Sequence, residues 1–150
     1  MLFRSADVIC DKNSKVKITL TLSKKVMYEG QTVTEGASFT MNNIQFEAGK
    51  AELSAAAKAE LDKIMAFLKL NGAVDIELNG YTSSEGDAGF NRELSLLRVD
   101  ACKQYLVSKG ISDKRIFTQG WGPENPIAPN DTEANRAKNR RVEMRIARIR

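Results

Sequence analysis

The 150-residue sequence predicts an α/β (α+β) sandwich in the order β-α-β-α-β-(α)-β, with two main helices packed on a mixed sheet and a short N-terminal β arm. Three observations carry this prediction. Lys15 to Leu22 and Ala73 to Asn79 alternate apolar and polar residues, as half-buried strands do. Leu53, Ala57, Leu61, Ile64 and Leu68 recur at a spacing that keeps them on one helical face. Turn residues separate the periodic stretches: Glu29-Gly30, Glu35-Gly36, Asn71-Gly72 and Gly110.

The elements follow in order. Residues 6–40 predict a β arm, with Val16, Ile18, Leu20 and Leu22 on one side of its strand. Residues 1–38 are expected to form this arm, as the end of a preceding domain, and 39–150 the main domain. Phe39 to Phe46 is the next strand, and a helix runs from about Ser54 to Leu70. Val74, Ile76 and Leu78 point inward from the following strand, with Asp75, Glu77 and Asn79 outward. Gly80 to Gly89 is a loop. A second helix is expected from about Asn91 to Ser108, with Asn91 as its N-cap and Leu94, Leu97, Ala101, Tyr105 and Leu106 as its core face. Arg115 to Gln119 is a short strand, and Trp121 to Asp131 a loop holding all three prolines. Glu133 to Lys138 fits a short helix. Arg141 to Ala147 is the last strand, with Val142, Met144 and Ile146 on one face.

Composition narrows the function. The chain has no histidine, which removes the usual general base and the commonest metal ligand. Its two cysteines, Cys10 and Cys102, lack metal-ligand spacing. Cys102 falls within a predicted helix, where a buried thiol is expected. No nucleophile-base spacing supports catalysis, so no catalytic residue, metal or cofactor is expected. No apolar run approaches the roughly 20 residues of a membrane span. The net charge is +4, and residues 136–150 hold seven Lys/Arg and one acid, Glu143. That segment has no aromatic interleaving, so a solvated strand face is expected and a nucleic-acid partner is not. The opening MLFRSADVIC has neither the apolar core nor the cleavage site of a signal peptide, and Cys10 lacks the small residues that precede a lipid-modified cysteine.

The informative stretch runs from Gly80 to Arg98. Asn91, Ser95 and Arg98 lie at i, i+4 and i+7, on one helical stripe. A helix start offers unpaired N–H groups and the positive end of a dipole. Arg98 adds a planar fork matched to a carboxylate. The same spacing also fits a solvated arginine beside a capping asparagine, and the residues alone leave both open.

Several separated motifs, in order, resemble the OmpA-like domain family, which includes the peptidoglycan-associated lipoproteins and the flagellar stator MotB proteins. They are Asn43-Ile44-Gln45-Phe46-Glu47-Ala48-Gly49, Gly80-Tyr81-Thr82, Gly86, Asn91-Arg92-Glu93-Leu94-Ser95-Leu96-Leu97-Arg98, Trp121-Gly122 with Asn125-Pro126-Ile127-Ala128, and Asn139-Arg140-Arg141-Val142-Glu143. Together they span roughly residues 39–147. The resemblance implies non-covalent binding of peptidoglycan through the diamino acid of its stem peptide. It also implies an exported parent protein on the periplasmic side of the outer membrane, with its export signal upstream of this chain. Arg98 would grip a ligand carboxylate, with Asn91, Leu94 and Thr82 in the same pocket. Phe46 and Glu47 would form another wall, and Arg140 would lie near the rim.

One position departs from the family pattern. Where the family has Asp after Gly-x-Thr, to pair with the ligand's amine, this chain has Ser83. The expectation is that Glu85 supplies the acid, with Asp87 the other candidate in the loop. The same departure keeps open a second reading, an OmpA-like fold used as a protein–protein interaction module.

Overall fold

The computed structural model describes the backbone of residues 2–10 and 16–150, and side chains from residue 24 onward. β1 (Leu2–Cys10), β2 (Val16–Tyr28) and β3 (Gln31–Thr34) form an antiparallel sheet in that order. Glu29 and Gly30 both take positive φ, 47° and 76°, which suits the tight turn joining β2 to β3. The expected facing of Val16, Ile18, Leu20 and Leu22 concerns side chains outside the described residues, as does the environment of Cys10. Tyr28 and Val33 enter the main hydrophobic core, where Tyr28 packs against Phe39 and Phe67 with ring centroids 5.0 Å apart in each case.

β4 (Ser38–Gln45), β5 (Val74–Tyr81), β6 (Ile116–Gly122) and β7 (Arg141–Ile149) build a four-stranded sheet in the order β4-β7-β5-β6. β5 and β6 are parallel, and the other pairs antiparallel, so the sheet is mixed as expected. α1 (Ala55–Leu70), α2 (Ala88–Ser108) and the short α3 (Glu133–Asn139) complete the order read from the sequence. α1 starts at Ser54, whose hydroxyl accepts from the Ala57 N–H at 3.1 Å. Its buried Ala57, Leu61, Ile64 and Leu68 meet Val74, Ile76 and Leu78 of β5 and Val142, Met144 and Ile146 of β7. Each such leucine or isoleucine contributes about 1.5–3 kcal/mol through burial.

Three features differ from expectation. Asp75 and Asn79 lie on the opposite face of β5, yet both are buried. Asp75 is covered by Arg148, whose Nε and Nη2 donate to its Oδ2 at 3.0 and 2.6 Å, and by Arg150. Asn79 accepts from the Trp121 indole at 2.7 Å. Second, α2 begins at Ala88, capped by Asp87, which accepts from the Phe90 N–H at 2.9 Å. Asn91 is therefore inside the first turn, and its own N–H bonds to the Asp87 carbonyl at 3.0 Å. Third, Leu97 is 60% exposed, and Ala101 and Tyr105 are only partly buried. The buried face of α2 is Asn91, Leu94, Ser95, Arg98, Val99, Cys102 and Leu106.

Glycines set that face. A Cβ on Gly80 would stand 2.5 Å from the Ser95 carbonyl oxygen, and one on Gly120 would stand 2.7 Å from both the Arg92 carbonyl oxygen and the Leu96 nitrogen. α2 thus rests directly on the backbones of β5 and β6. Ser95 locks the contact: its hydroxyl donates to the Arg92 carbonyl at 2.8 Å and accepts from the Gly122 N–H at 2.9 Å. Cys102 is a free thiol within the core, and burial pushes its pKa up to about 12.

Candidate functional site

Where β5 leaves the sheet and α2 begins, a cavity of about 250 Å³ opens. The loop between them turns at Gly86, with φ of 80°. Seven of the nine residues predicted for the site line this cavity: Thr82, Ser83, Glu85, Asn91, Leu94, Arg98 and Arg140. Ala48, Gly49, Gly86 and Phe90 complete it. Phe90 is 60% exposed, an apolar lip that no periodicity in the sequence marks.

Arg98 is the most unusual group. Its residue is 1% exposed and sits among the largest fully buried side chains. Nε donates to the Lys50 carbonyl at 2.8 Å and Nη2 to the Glu47 carbonyl at 2.9 Å. The guanidinium lies over the Phe46 ring, 5.0 Å from its centroid. Nη1 is buried with no hydrogen-bond partner. Burial, reinforced by the charge of Arg140, pulls the Arg98 pKa down to about 10, which still leaves it charged at neutral pH. Neutral carbonyls orient this cation; they do not neutralise it.

Arg140 repeats the pattern. It was expected at the rim but is buried, at 6% exposure. α3 ends beside it, so the chain delivers its side chain inward at the entry to β7. Its Nε donates to the Phe46 carbonyl at 3.1 Å, and Nη2 pairs with Glu133. Its Nη1 is likewise buried and unpartnered. Thr82 Oγ1 is a third such atom. A buried polar group that gains a hydrogen-bond partner recovers about 1–3 kcal/mol, so three such atoms around one cavity favour a polar ligand there. A carboxylate, which accepts through two oxygens, complements them.

The opposite wall is acidic. The Ser83 hydroxyl donates to Glu85 Oε2 at 3.4 Å, and Arg136 Nε meets Glu85 Oε1 at 2.9 Å. Asn91 donates to the Glu85 carbonyl at 2.7 Å and so fixes the loop. Asp87 is committed to capping α2 and does not line the cavity. The remaining two predicted residues sit beside the cavity. Phe46 lies beneath Arg98, and Glu47 offers its carbonyl to Arg98 while its carboxylate pairs with Lys50 at 2.5 Å.

Two arginines adjacent in sequence serve different faces. Arg141 points to the far side of the sheet, where its guanidinium stacks 3.9 Å from the Tyr81 ring centroid and Nε donates to Glu143 at 2.8 Å. Asn139, just before them, is fully buried. Its Oδ1 accepts from the Ile127 and Ala128 N–H groups, and its Nδ2 donates to the Ala128 carbonyl and to Asn130 Oδ1. It orders the proline-containing loop beside the site. Among the basic residues of the C-terminal segment, Arg136, Arg140, Arg141, Arg148 and Arg150 all form ion pairs.

The chain is similar to known proteins. A sequence profile of the OmpA family matches residues 45–140. The chain is 38% identical to Probable lipoprotein YiaD of Escherichia coli strain K12 over 106 residues, 71% of this chain and 48% of that protein. It is 32% identical to a peptidoglycan-associated lipoprotein of Pseudomonas putida, covering 78% of this chain and 70% of that one. The chain thus spans about half the length of YiaD. The crystal structure of the peptidoglycan-associated lipoprotein from Burkholderia pseudomallei superposes with a TM-score of 0.65 at 26% identity, over 67% of this chain and 86% of that one. With the matched segment holding every residue of the cavity, the chain belongs to the OmpA family.

Proposed function

We propose that the cavity binds a carboxylate of the peptidoglycan stem peptide, on its diamino acid, and that the chain thereby anchors an envelope protein non-covalently to the cell wall. One observation carries this reading: Arg98 Nη1, Arg140 Nη1 and Thr82 Oγ1 are buried without partners, and their residues line one cavity. Two relatives bear the name peptidoglycan-associated lipoprotein, which supports the same ligand here. The ligand's amine meets Glu85, which takes the part of an acid at position 83. The parent protein is then periplasmic and attached at the outer membrane, and the role is binding without catalysis. The ion pairs along the C-terminal segment support a structural role for its charge.

Co-sedimentation with purified peptidoglycan tests the reading. The chain should pellet with the wall at low and moderate salt, and Arg98→Ala should stay in the supernatant. A parent chain that stays in solution at both salts contradicts it. Ser83 favours a second reading, an interaction module for a protein partner. A partner retained equally by the parent and by Arg98→Ala, without wall binding, would select that one.

A further inference from the structure

A second, larger cavity of about 460 Å³ lies between the end of β4, the start of α1 and α3. Arg140 lines both cavities. Phe46 also connects them, since its ring lies under Arg98 and its carbonyl accepts from Arg140.

The chemistry of this cavity differs from that of its neighbour. Its charged groups have partners: Arg140 Nη2 pairs with Glu133 and Glu47 with Lys50, while the remaining Arg140 Nη1 is the atom assigned above to the carboxylate in the first cavity. What remains is neutral and two-sided. Asn42 and Gln45 are exposed on its wall, and neither side chain takes part in a hydrogen bond among the described residues. Each carries a donor and an acceptor. Ser54 also lines the cavity as the cap of α1, where the first-turn N–H groups lack intrahelical partners and no acid is present. Side-chain amides and helix N–H groups around a space whose charged groups are engaged elsewhere complement a group that both donates and accepts and carries no charge.

We infer that this cavity is a subsite for a neutral secondary amide, carried by the same ligand whose carboxylate enters the first cavity, with Arg140 standing between the two. The inference rests on the wall-binding reading above. A secondary amide reaches this position from two sources in such a ligand: the peptide bonds flanking the carboxylate-bearing residue, or an acetamido group on the attached sugar.

Isothermal titration of the full chain distinguishes the sources and tests the subsite. The ligands are the free diamino acid, the stem peptide and the stem peptide bearing its disaccharide. Each is titrated into the parent and into an Asn42→Ala/Gln45→Ala double variant, both exposed positions outside the core. One neutral hydrogen bond corresponds to about 2–10-fold in affinity. The parent should bind one or both larger ligands several-fold more tightly than the free diamino acid. The double variant should lose that gain and keep its affinity for the free diamino acid. A gain present with the stem peptide alone assigns the peptide bond, and one that appears only with the disaccharide assigns the acetamido group. Equal affinities of parent and variant for all three ligands overturn the subsite. So does an equal loss for the free diamino acid, which would place the two residues in the first cavity's work. A parent that binds none of the three ligands overturns the wall-binding reading and the subsite with it.

Discussion

Arg98 and Arg140 each hold a buried Nη1 without a partner, and both side chains line the same cavity. Two like charges in one small space repel, and the charge of Arg140 is among the causes that lower the Arg98 pKa. Neighbouring carbonyls satisfy part of each guanidinium, and the carboxylate proposed to bind there would satisfy the rest.

The fork of Arg98, and not its charge alone, is what the geometry uses. Nε and Nη2 hold the Lys50 and Glu47 carbonyls, which leaves Nη1 for the proposed ligand. A lysine ammonium is a single point that cannot occupy all three directions. Arg98→Lys should therefore weaken stem-peptide binding by about tenfold or more, the effect of losing one charge-assisted hydrogen bond. Titration calorimetry of parent and variant measures this. Unchanged affinity would show that charge suffices.

The acidic wall assigns different duties to two neighbouring carboxylates. Glu85 faces the cavity and is shared between Ser83 and Arg136, whereas Asp87 caps α2. Glu85→Gln should lower affinity for the diamino acid while leaving an analogue without the side-chain amine unaffected. Arg136→Gln frees Glu85 and should raise diamino-acid affinity. Asp87→Ala should instead cost about 0.5–2 kcal/mol of stability with the selectivity unchanged. Selectivity that follows Asp87, or neither residue, counts against the assignment.

Gly80 positions the site through backbone contact. A methyl group there meets the Ser95 carbonyl, which belongs to a helix and cannot swing aside. Gly80→Ala should destabilise the fold by about 1–3 kcal/mol, seen in urea or thermal unfolding. It should also weaken ligand binding, because Asn91, Leu94 and Arg98 all ride on α2. A variant with parental stability would mean that α2 shifts freely on β5.

Cys102 provides a pH test of the core. Burial raises its pKa to about 12, so above its ordinary value near 9 the unfolded chain loses this proton while the native chain keeps it. The native state then binds more protons than the unfolded state, and stability falls as pH rises from about 9 towards 12. In a Cys10→Ser background, alkylation of Cys102 at pH 8 should be slow in the native protein and fast in urea. Rapid native alkylation would contradict the packing.

Much of this arrangement is legible in the sequence, for identifiable reasons. Strict alternation in β5 and β7, and the 57/61/64/68 spacing in α1, fix their inner faces because apolar side chains there have one place to go. The buried face of α2 does not follow hydrophobic periodicity. Ser95 and Arg98 occupy buried positions where hydrophobic periodicity expects leucine, and Gly80 and Gly120 draw that polar side onto the sheet, leaving Leu97 outside. Asp87 and Asn91 are both good capping residues; the turn at Gly86 hands the cap to Asp87 and turns Asn91 to the Glu85 carbonyl. Burial of Asp75 depends on arginines more than 70 positions away, which no local pattern reports. The gathering of Thr82, Asn91, Arg98 and Arg140 was legible only through separated motifs taken together, since their proximity is a product of topology.

The most direct measurement is a crystal structure of the chain soaked with a stem-peptide fragment containing the diamino acid. The predicted result is a ligand carboxylate within hydrogen-bond distance, about 2.7–2.9 Å, of Nη1 of both Arg98 and Arg140, with its amine facing Glu85. A ligand bound elsewhere, or density in the cavity with its carboxylate turned away from both arginines, would contradict the account.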